Sequence, residues 1–473
     1  MNHKDFISKS KSMLIAPAGH GKTHSIVECL NHTEGRQLIL THTHAGVASI
    51  KEKIEKAKLS SNKFHIETIT GYAQKYMQAY YTGIDIPDRE DPEAYYSFLL
   101  EKAKKIIKSP LIECILKSSY SGLFVDEYQD CTLQQHELIS IISEILPTRI
   151  FGDPLQGIFN FNGNPMVNLN DDGHMGEFHG NKYQLEEPWR WKGINEPLGK
   201  GLKEIRVEIE AKNSFDLRRY PAIEFIHIAD ENDLYNPQQK YYRDVNKILS
   251  AKNLLIIHPE SSSINPRKKI VSIYKTPITL VEAIDDKAFY SLAKLFDNID
   301  TQTIEKIIYK VCLELFNKTE VNLWLSEKGA KNRTKESKET ASELTKTYAK
   351  IKEGQPYLNC SELLKKINKL KSIRCYRKEL LSSLCAALEE ASATGKTVNE
   401  SMIDRRNHIR QIGRKIYGRC IGTTLLTKGL EFETVVILNA HKFTCPKNLY
   451  VALTRASKRL IVFSKSPVFS PTY

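Results

Sequence analysis

The sequence predicts an α/β fold made of two parallel-sheet domains, each carrying an inserted, mainly helical segment. Three observations predict it. Short apolar strands alternate with helical patterns over residues 12–151, the alternation returns over residues 223–258 and in the last 55 residues, and the intervening residues 71–117 and 270–405 are almost wholly helical in pattern. Alternating strands and helices are typical of a mostly parallel sheet with helices on both faces.

The first set of elements surrounds a glycine-rich turn. We predict strands at 13–15, 37–40, 122–125 and 148–151, and a helix over 22–30. The second set has strands at 223–228, 253–258, 434–438 and 460–463, with helices over 231–249 and near 448–456. In the long helical segment we expect Ser361 to cap a helix over 363–370, and Gly395 to end another that begins at Tyr376.

Composition excludes several classes of protein. The 473 residues are 41% hydrophobic and 26% charged, which is typical of globular proteins. There is no apolar run of about 18 residues and no apolar signal core at the N-terminus, so we expect a cytoplasmic protein without a membrane span. The nine cysteines are dispersed with no CxxC spacing, which favours neither a zinc nor an iron–sulfur site and fits a reducing compartment.

The net charge of +13 is concentrated in two segments. Residues 331–380 contain fourteen Lys or Arg and six Asp or Glu, and residues 401–420 contain six against one. A concentrated positive charge attracts a polyphosphate backbone. A solvated helix face that binds nothing has the same pattern, and charge alone leaves both interpretations open.

Residues 16–23 read APAGHGKT, after a predicted strand and before a predicted helix. Glycines let successive backbone N–H groups point at phosphate oxygens, and the helix N-terminus adds a partial positive charge. Lys22 would reach the β- and γ-phosphates, and the Thr23 hydroxyl would bind Mg²⁺. The nucleotide-binding residues predicted from this loop are Ala18, Gly19, His20, Gly21, Lys22, Thr23 and His24.

A second motif, DEYQD at residues 126–130, follows the apolar strand 122–125. An acid at the carboxyl end of a strand beside the P-loop can hold Mg²⁺, and we assign Asp126 to that role. Glu127 is placed to orient and deprotonate the attacking water.

A third motif, GDPLQGIFNF at 152–161, supplies Gln156 as a candidate sensor of the γ-phosphate. Its Phe159 and Phe161 could stack on bases without reading their identity.

Taken together with LEEPWRW (185–191), TKGLEF (427–432) and LYVALTRAS (449–457), these segments resemble superfamily 1 helicases of the UvrD/Rep type, in the family's order. The resemblance implies two RecA-like domains, ATP and Mg²⁺ as cofactors, and single-stranded or partly duplex DNA as the partner. It implies that Arg190 contacts the γ-phosphate and that Arg455 is an arginine finger. Gly429 and Glu431 would line the nucleotide site near the ribose.

The resemblance also implies DNA contacts. At some positions, however, this sequence departs from the family pattern. Residues 41–46 and 68–72 stand where the family contacts DNA, so Thr41, Thr43 and Tyr72 join Phe159 and Phe161 as predicted DNA-binding residues. The first glutamine is Gln37, beyond the P-loop, so the family's upstream glutamine that contacts adenine is missing or replaced, and ATP and other nucleoside triphosphates stay open. Asn162 replaces an arginine that often follows the stacking aromatic.

The resemblance divides the chain into four parts. These are domain 1A (1–70 and 118–195), helical insertion 1B (71–117), domain 2A (196–270 and 405–473) and basic helical insertion 2B (271–404). The nucleotide would bind between 1A and 2A, and their closure would move the chain along single-stranded DNA, by resemblance 3′ to 5′.

Three functions stay open at the level of sequence. The first is a DNA translocase or helicase. The second is a DNA-stimulated ATPase that does not unwind and that activates a partner nuclease, since residues 41–47 and 152–159 resemble a bacterial subgroup of UvrD-like proteins that includes the Gabija helicase subunit of anti-phage defence. Sixteen residues follow Ser457, so we expect any nuclease to be a separate protein. The third, a P-loop kinase, leaves Gln156 and Arg455 unexplained.

Overall fold

The computed structural model describes residues 1–87, 92–159, 165–283, 286–300, 302–334, 337–412 and 416–470. They form two compact units. Unit 1 comprises residues 1–227 and 428–473, and unit 2 comprises residues 228–427. The four-part subdivision named above stays a prediction. Among the described residues, no helix has the length and apolar character needed to cross a bilayer.

The first sheet lies in unit 1 and has six strands. They are β1 Lys11–Ile15, β2 Gln37–Thr41, β3 Phe64–Thr68, β4 Gly122–Val125, β5 Thr148–Gly152 and β6 Lys182–Gln184. Their order is β3-β2-β4-β5-β1-β6, and every neighbouring pair is parallel. Strands β2, β4 and β5 are buried along their whole length, as expected for parallel strands covered on both faces.

The carboxyl ends of β1, β4 and β5 lie at one edge of this sheet because the strands are parallel and adjacent in the order β4-β5-β1. The P-loop follows β1, DEYQD follows β4, and the segment beginning at Asp153 follows β5. Open parallel sheets bind ligands beyond the carboxyl ends of their strands. The topology therefore brings the first three motifs of the sequence to the same place.

The helices of unit 1 flank this sheet or lie in its connections. They are α1 His3–Ser8, α2 Lys22–His32, α3 His44–Lys56, α4 Ile69–Tyr80, α5 Pro92–Ile107, α6 Pro110–Ser119, α7 Leu133–Ser143, α8 Asp172–Met175, α9 Glu177–Gly180 and α10 Glu196–Glu210. Helix α7 begins with a capping box in which Thr132 and Gln135 satisfy each other's backbone N–H groups.

The remaining strands follow in chain order. They are β7 Phe215–Asp216, β8 Ile223–His227, β9 Leu254–Ile257, β10 Thr279–Leu280, β11 Leu325–Ser326, β12 Gly329–Ala330, β13 Arg419–Gly422, β14 Phe432–Ile437, β15 Ala456–Ser464 and β16 Val468–Phe469. The second six-stranded sheet has the order β10-β13-β9-β14-β15-β8, while β7–β16 and β11–β12 are two-stranded antiparallel ladders. The predicted fold class, α/β with two parallel sheets and helical insertions, is confirmed.

Unit 2 is mainly helical. Its helices are α11 Lys240–Ile248, α12 Asn265–Ile273, α13 Lys287–Asp297, α14 Ile304–Leu315, α15 Lys318–Trp324, α16 Lys338–Glu353, α17 Pro356–Asn368, α18 Lys378–Thr394 and α19 Val398–Ile412, and α20 Pro446–Leu453 belongs to unit 1. Helices α13 to α19 pack around one apolar core that includes Phe289, Phe296, Leu315 and Leu388.

The structure corrects two local predictions and confirms a third. Residues 231–249 are not one helix, because a 3₁₀ turn ends at Tyr235, Pro237 interrupts the backbone hydrogen bonding, and α11 begins at Lys240. Ser361 does not cap a helix, because α17 begins five residues earlier at Pro356 and the Ser361 hydroxyl donates to Glu389 at 2.6 Å. Gly395 does end α18, with φ +74°.

Candidate active site

The P-loop lies between β1 and α2 and takes the form the sequence predicts. Gly19 and Gly21 have φ +75° and +92°, a left-handed conformation that favours glycine. A Cβ at Gly19 would lie 2.6 Å from the ring of Trp191, so only glycine fits there. Gly21 directly precedes α2, and the first N–H groups of a helix have no partner within it. The loop therefore presents donors and a partial positive charge to an anion.

The predicted loop residues differ in exposure. Ala18 and His20 are buried, and His20 Nδ1 lies 3.0 Å from the Ala18 carbonyl oxygen. Burial lowers the pKa of His20, so its ring is neutral. Thr23 is the second residue of α2 and is half-buried, whereas the His24 side chain is 70% exposed and lies 3.9 Å from Glu28. The loop is therefore buried at Ala18 and His20 and accessible at His24, in the first turn of α2.

Lys22 contacts both predicted acids. Its Nζ lies 2.5 Å from Glu127 Oε1 and 3.4 Å from Asp126 Oδ1. Burial opposes the lysine charge, but the two carboxylates outweigh it and raise the pKa of Lys22. Burial acts against the Glu127 charge as well, yet Lys22 and then Lys428 lower the pKa of Glu127 to about 2. These residues form one buried ionic cluster at the sheet edge.

Glu127 is held in an unusual backbone conformation. Its φ of 55° is left-handed, which costs a residue with a Cβ about 1–3 kcal/mol. Its N–H donates to Asp126 Oδ1 at 2.9 Å, and the Gln129 amide donates to its carboxylate. Backbone strain of this kind persists where surrounding contacts hold it and is concentrated at functional sites. The strain therefore supports the assignment of Glu127 as a functional residue.

The donors near Lys22 fit a magnesium ion that is bound together with phosphate. Within the described ranges, no three His, Cys, Asp or Glu side chains are grouped so as to hold a metal by themselves. Magnesium in NTPase sites is bound through one or two protein oxygens, with waters and substrate phosphates completing the shell. The Asp126 carboxylate and the Thr23 hydroxyl match that donor set, and both stay predicted metal ligands.

Gln156 is buried in the 3₁₀ turn that follows β5. Its Nε2 donates to Asp153 Oδ2 at 2.8 Å, and Asp153 is completely buried. The Asp153 N–H in turn donates to Gln129 Oε1 at 2.9 Å. Since Gln129 also contacts Glu127, a chain of hydrogen bonds joins the predicted sensor to the predicted base.

Phe159 is half-buried, and its ring lies beneath the Lys428 ammonium group, 4.6 Å from Nζ to the ring centroid. Phe161 lies outside the described residues.

Lys428 was not singled out from the sequence, although TKGLEF contains it. Its Nζ lies 2.6 Å from both carboxylate oxygens of Asp130 and donates to the Gln156 carbonyl oxygen. Lys428 thus ties the TKGLEF segment to the two motifs after β4 and β5.

Arg190 joins the P-loop to the C-terminal motifs. Its backbone N–H donates to the Gly19 carbonyl oxygen at 2.9 Å. Its guanidinium lies 2.8 Å from Glu431 and donates to the Thr454 carbonyl oxygen. Two residues predicted for the nucleotide site, Arg190 and Glu431, are therefore paired, and Arg190 contacts the residue that precedes Arg455.

Arg455 is almost completely buried and is bonded to its own neighbourhood. It donates to the carbonyl oxygens of Val451 at 2.9 Å and Leu430 at 3.2 Å, and to the Thr454 hydroxyl at 3.2 Å. Burial, and then the nearby charge of Arg190, lower its pKa to about 10.

Gly429 has φ +80°, and apart from its chain neighbours no described atom lies within 4 Å of the position that a Cβ would occupy there. The space beside Gly429 is therefore open.

Two tryptophans beside the loop were missed in the sequence. Trp191 is completely buried, packs on Gly19 and donates to the Ala456 carbonyl oxygen at 2.8 Å. Trp189 is 52% exposed, and its Cδ1 lies 3.5 Å from where a Cβ of Gly21 would be. Lys192 covers its ring at 4.1 Å from the centroid. Their place in LEEPWRW, two residues apart around Arg190, is the signal that could have found them.

The other predicted DNA-binding residues are placed differently from one another. Thr41 is buried at the end of β2, and Thr43 is exposed and caps α3 by accepting from the Gly46 N–H at 3.0 Å. Tyr72 is buried and its hydroxyl donates to that of Tyr76 at 3.3 Å. Tyr72 thus offers no ring face to a base, and of these three residues only Thr43 is accessible.

Two comparisons with known sequences found similar proteins. A family model described as an AAA domain matches residues 3–162. Gabija protein GajB of Bacillus cereus (strain VD045) is 24% identical over 391 residues, which cover 79% of this chain and 70% of GajB.

Two solved helicase structures also match over most of this chain. The arterivirus nonstructural protein 10 helicase in complex with DNA has a TM-score of 0.35 at 10% identity over 97% of this chain, and the PRRSV helicase has 0.35 at 9% over 98%. The chain spans only 62% and 54% of the lengths of those two proteins. The AAA domain matched at residues 3–162 and the similarity to GajB support the helicase resemblance that the six motifs predicted.

Proposed function

We propose that this chain is an ATP-dependent translocase or helicase that moves along single-stranded DNA, with 3′-to-5′ polarity as the family resemblance implies. The observation that carries the proposal is the contact of Lys22 with both Asp126 and Glu127, beside a P-loop whose Gly19 is bonded to Arg190. Arg190 in turn contacts the segment that contains Arg455. Cations on several segments around one triphosphate are what phosphoryl transfer requires.

Lys22 has two competing anionic partners in this proposal. The carboxylate of Glu127 holds it at 2.5 Å in the structure. A triphosphate in the P-loop would draw the ammonium group toward its β- and γ-oxygens. Glu127 would lose its nearest cation, and its pKa would rise toward the ordinary value because Lys22 is the largest influence that lowers it. Nucleotide binding would thereby turn Glu127 from an ion-pair partner into a base able to accept a proton from water.

Asp126 and Thr23 would hold Mg²⁺ beside the phosphates. The ion supplies neutralisation of the charge that develops on the β- and γ-oxygens. Gln156 would contact the γ-phosphate and the attacking water through its side-chain amide. Arg190 and Arg455 would stabilise the negative charge of the transferring phosphoryl group, with Gly429 and Glu431 near the ribose.

We assign the missing base contact to Trp189. Its side chain is half exposed and lies beside Gly21 at the start of α2, and Lys192 covers one face of the ring, so a nucleotide whose phosphates occupy the loop would stack on the other face. A stacked ring does not distinguish adenine from other bases. This assignment accounts for binding without the upstream glutamine and implies weak discrimination among nucleoside triphosphates.

Replacing Trp189 with alanine is expected to weaken ATP binding about 5- to 150-fold, since stacking contributes about 1–3 kcal/mol per base. Trp189→Phe, which keeps an aromatic face, is the matched control and should bind within about threefold of the wild type. Displacement of a fluorescent nucleotide by ATP and by inorganic tripolyphosphate measures both. Equal losses for the two competitors would place Trp189 at the phosphates and contradict base stacking.

Single-stranded DNA is expected to stimulate ATP hydrolysis by the purified chain, and DNA affinity should fall steeply with salt because binding releases counterions from phosphates. The measurement is the hydrolysis rate with and without an oligonucleotide, with DNA binding titrated between about 50 and 200 mM salt. An equal hydrolysis rate with and without DNA would favour the P-loop kinase. Affinity independent of salt would contradict phosphate contacts.

The similarity to Gabija protein GajB favours a second candidate. In that case the chain hydrolyses ATP on DNA without separating strands, and activates a separate nuclease in anti-phage defence. A strand-displacement assay with 3′-tailed and 5′-tailed duplexes, run beside the hydrolysis assay, separates the two functions. Displacement of the 3′-tailed duplex supports the helicase and its polarity, whereas DNA-stimulated hydrolysis without displacement supports the second candidate.

A further inference from the structure

One completely buried carboxylate organises the turn that carries Gln156. Asp153 Oδ1 accepts from the Leu155 N–H at 3.2 Å and from Arg206 Nη1 at 2.7 Å, while Asp153 Oδ2 accepts from Gln156 Nε2 at 2.8 Å. Only the NH₂ end of an amide can donate to a carboxylate. The bond to Asp153 therefore also fixes the direction in which Gln156 Oε1 points.

Arg206 reaches this carboxylate from α10, more than fifty residues later in the chain. Its side chain is 5% exposed, and besides Asp153 it contacts the Tyr450 hydroxyl at 3.1 Å and Glu210 at 2.8 Å. Tyr450 belongs to the LYVALTRAS segment. One guanidinium thus connects the turn of Gln156 to the helix that leads to Arg455.

A buried carboxylate without a cation is unstable as an anion, because burial penalises its charge. Removing Arg206 would take away the cation that holds the buried Asp153 carboxylate, and the carboxylate, together with the Gln156 amide bonded to it, would shift. The Gln129 contact on the Asp153 N–H holds the backbone but not the carboxylate. The orientation of the sensor therefore depends on the charge of Arg206.

We propose that Arg206 is a positioning residue for ATP hydrolysis, acting through Asp153 to fix the side-chain amide of Gln156. This inference rests on the proposed function and deepens it. Arg206 does not touch the nucleotide, so its loss should reduce kcat and leave the KM for ATP nearly unchanged. Because it acts through Gln156, its effect should disappear when the Gln156 amide is already absent.

The test is a double-mutant cycle of Arg206→Gln and Gln156→Ala, with DNA-stimulated ATP hydrolysis as the readout. We expect Arg206→Gln to lower kcat about 10- to 100-fold, by analogy with the loss when a residue that orients a metal ligand is removed, with KM within about threefold. The double variant should be no slower than Gln156→Ala alone. Arg206→Lys, which restores the charge, should recover a substantial part of the rate.

Glu210→Gln is the matched control. It removes another ionic partner of Arg206 on the solvent side, where Glu210 is 46% exposed, and leaves the Asp153 contact in place. Its kcat should stay within about twofold of the wild type. A comparable loss in Glu210→Gln would show that any disturbance of α10 slows the reaction, and it would overturn the assignment.

Other outcomes also decide the proposal. Wild-type kcat in Arg206→Gln, or losses that multiply in the double variant, would refute positioning through Gln156 while leaving the proposed function intact. A wild-type chain without hydrolysis would remove the proposed function, and this inference with it. Should Arg206→Gln fail to fold, the nearly isosteric Asp153→Asn replaces it, and unchanged kcat in that variant would refute the proposal.

Discussion

Replacing Lys22 with alanine is expected to reduce ATP hydrolysis to background, a loss of more than about 10³-fold in kcat. Removing one uncharged donor to a transition-state oxyanion already costs about 10²–10³, and hydrogen bonds from ionised groups are roughly twice as strong. Lys22 is also the closest described cation to the predicted base, 2.5 Å from Glu127. Hydrolysis by the purified variant with saturating single-stranded DNA measures the effect.

The Lys22 variant needs a fold control, because the lysine lies between the buried Asp126 and the half-buried Glu127. Leaving such acids without their cation can cost about 3–5 kcal/mol of stability. Thermal unfolding of the variant should therefore accompany the rate. Lys56→Ala is the matched substitution, since Lys56 is 72% exposed and pairs only with Glu52 in its own helix among the described contacts. A Lys22→Ala variant that retains a tenth of the wild-type kcat would contradict the assignment.

Replacing Arg455 with alanine is expected to lower kcat by about 10³–10⁵, the contribution of an arginine finger, and to leave ATP affinity within about threefold. The split between kcat and affinity follows because a finger interacts most strongly with the charge of the transition state. In the structure its guanidinium is bonded to the carbonyl oxygens of Val451 and Leu430. Steady-state hydrolysis and a separate nucleotide-binding titration measure the two quantities.

The loss at Arg455 must be distinguished from a packing defect. Alanine would remove the Arg455 donor from the Leu430 carbonyl oxygen and from the Val451 carbonyl oxygen, which keeps the Thr454 hydroxyl at 3.1 Å. A buried acceptor left without a donor costs about 1–3 kcal/mol, so the stability of the variant is measured in parallel. Arg459→Ala is the matched control, because Arg459 lies four residues later, is 48% exposed and pairs with Glu224. A folded Arg455→Ala variant with kcat above a tenth of the wild type would exclude the finger role, and so would an equal loss in Arg459→Ala.

Much of the fold could be predicted from the sequence because buried parallel strands are continuous apolar runs. Strand β4 has the predicted bounds, and β1, β2, β5 and β9 differ from theirs by one or two residues. In the first sheet, strands β3 and β6 were not predicted. They are only partly buried, β6 has exposed residues at both ends, and neither reads as a continuous apolar run.

The candidate site was predictable where its residues stand in motifs with fixed spacing. Lys22, Asp126 and Glu127 follow strand ends whose adjacency is a consequence of parallel topology, and the structure brings them into contact. Lys428, Trp189 and Arg206 were not found in this way. Each contacts a partner far along the chain, and although Trp189 and Lys428 stand inside motifs, a single sequence does not show which remote residue each one contacts.

The sequence by itself determined the local chemistry of this protein: a phosphate-binding loop, two acids at a strand end and arginines in motif settings. These follow from residue type and spacing over a few positions. Only the tertiary structure decided which charges are paired, because pairing depends on distances between segments that are remote in the chain. Arg206 shows the difference, since nothing around it in α10 predicts that its guanidinium lies 2.7 Å from Asp153 and organises the turn of Gln156.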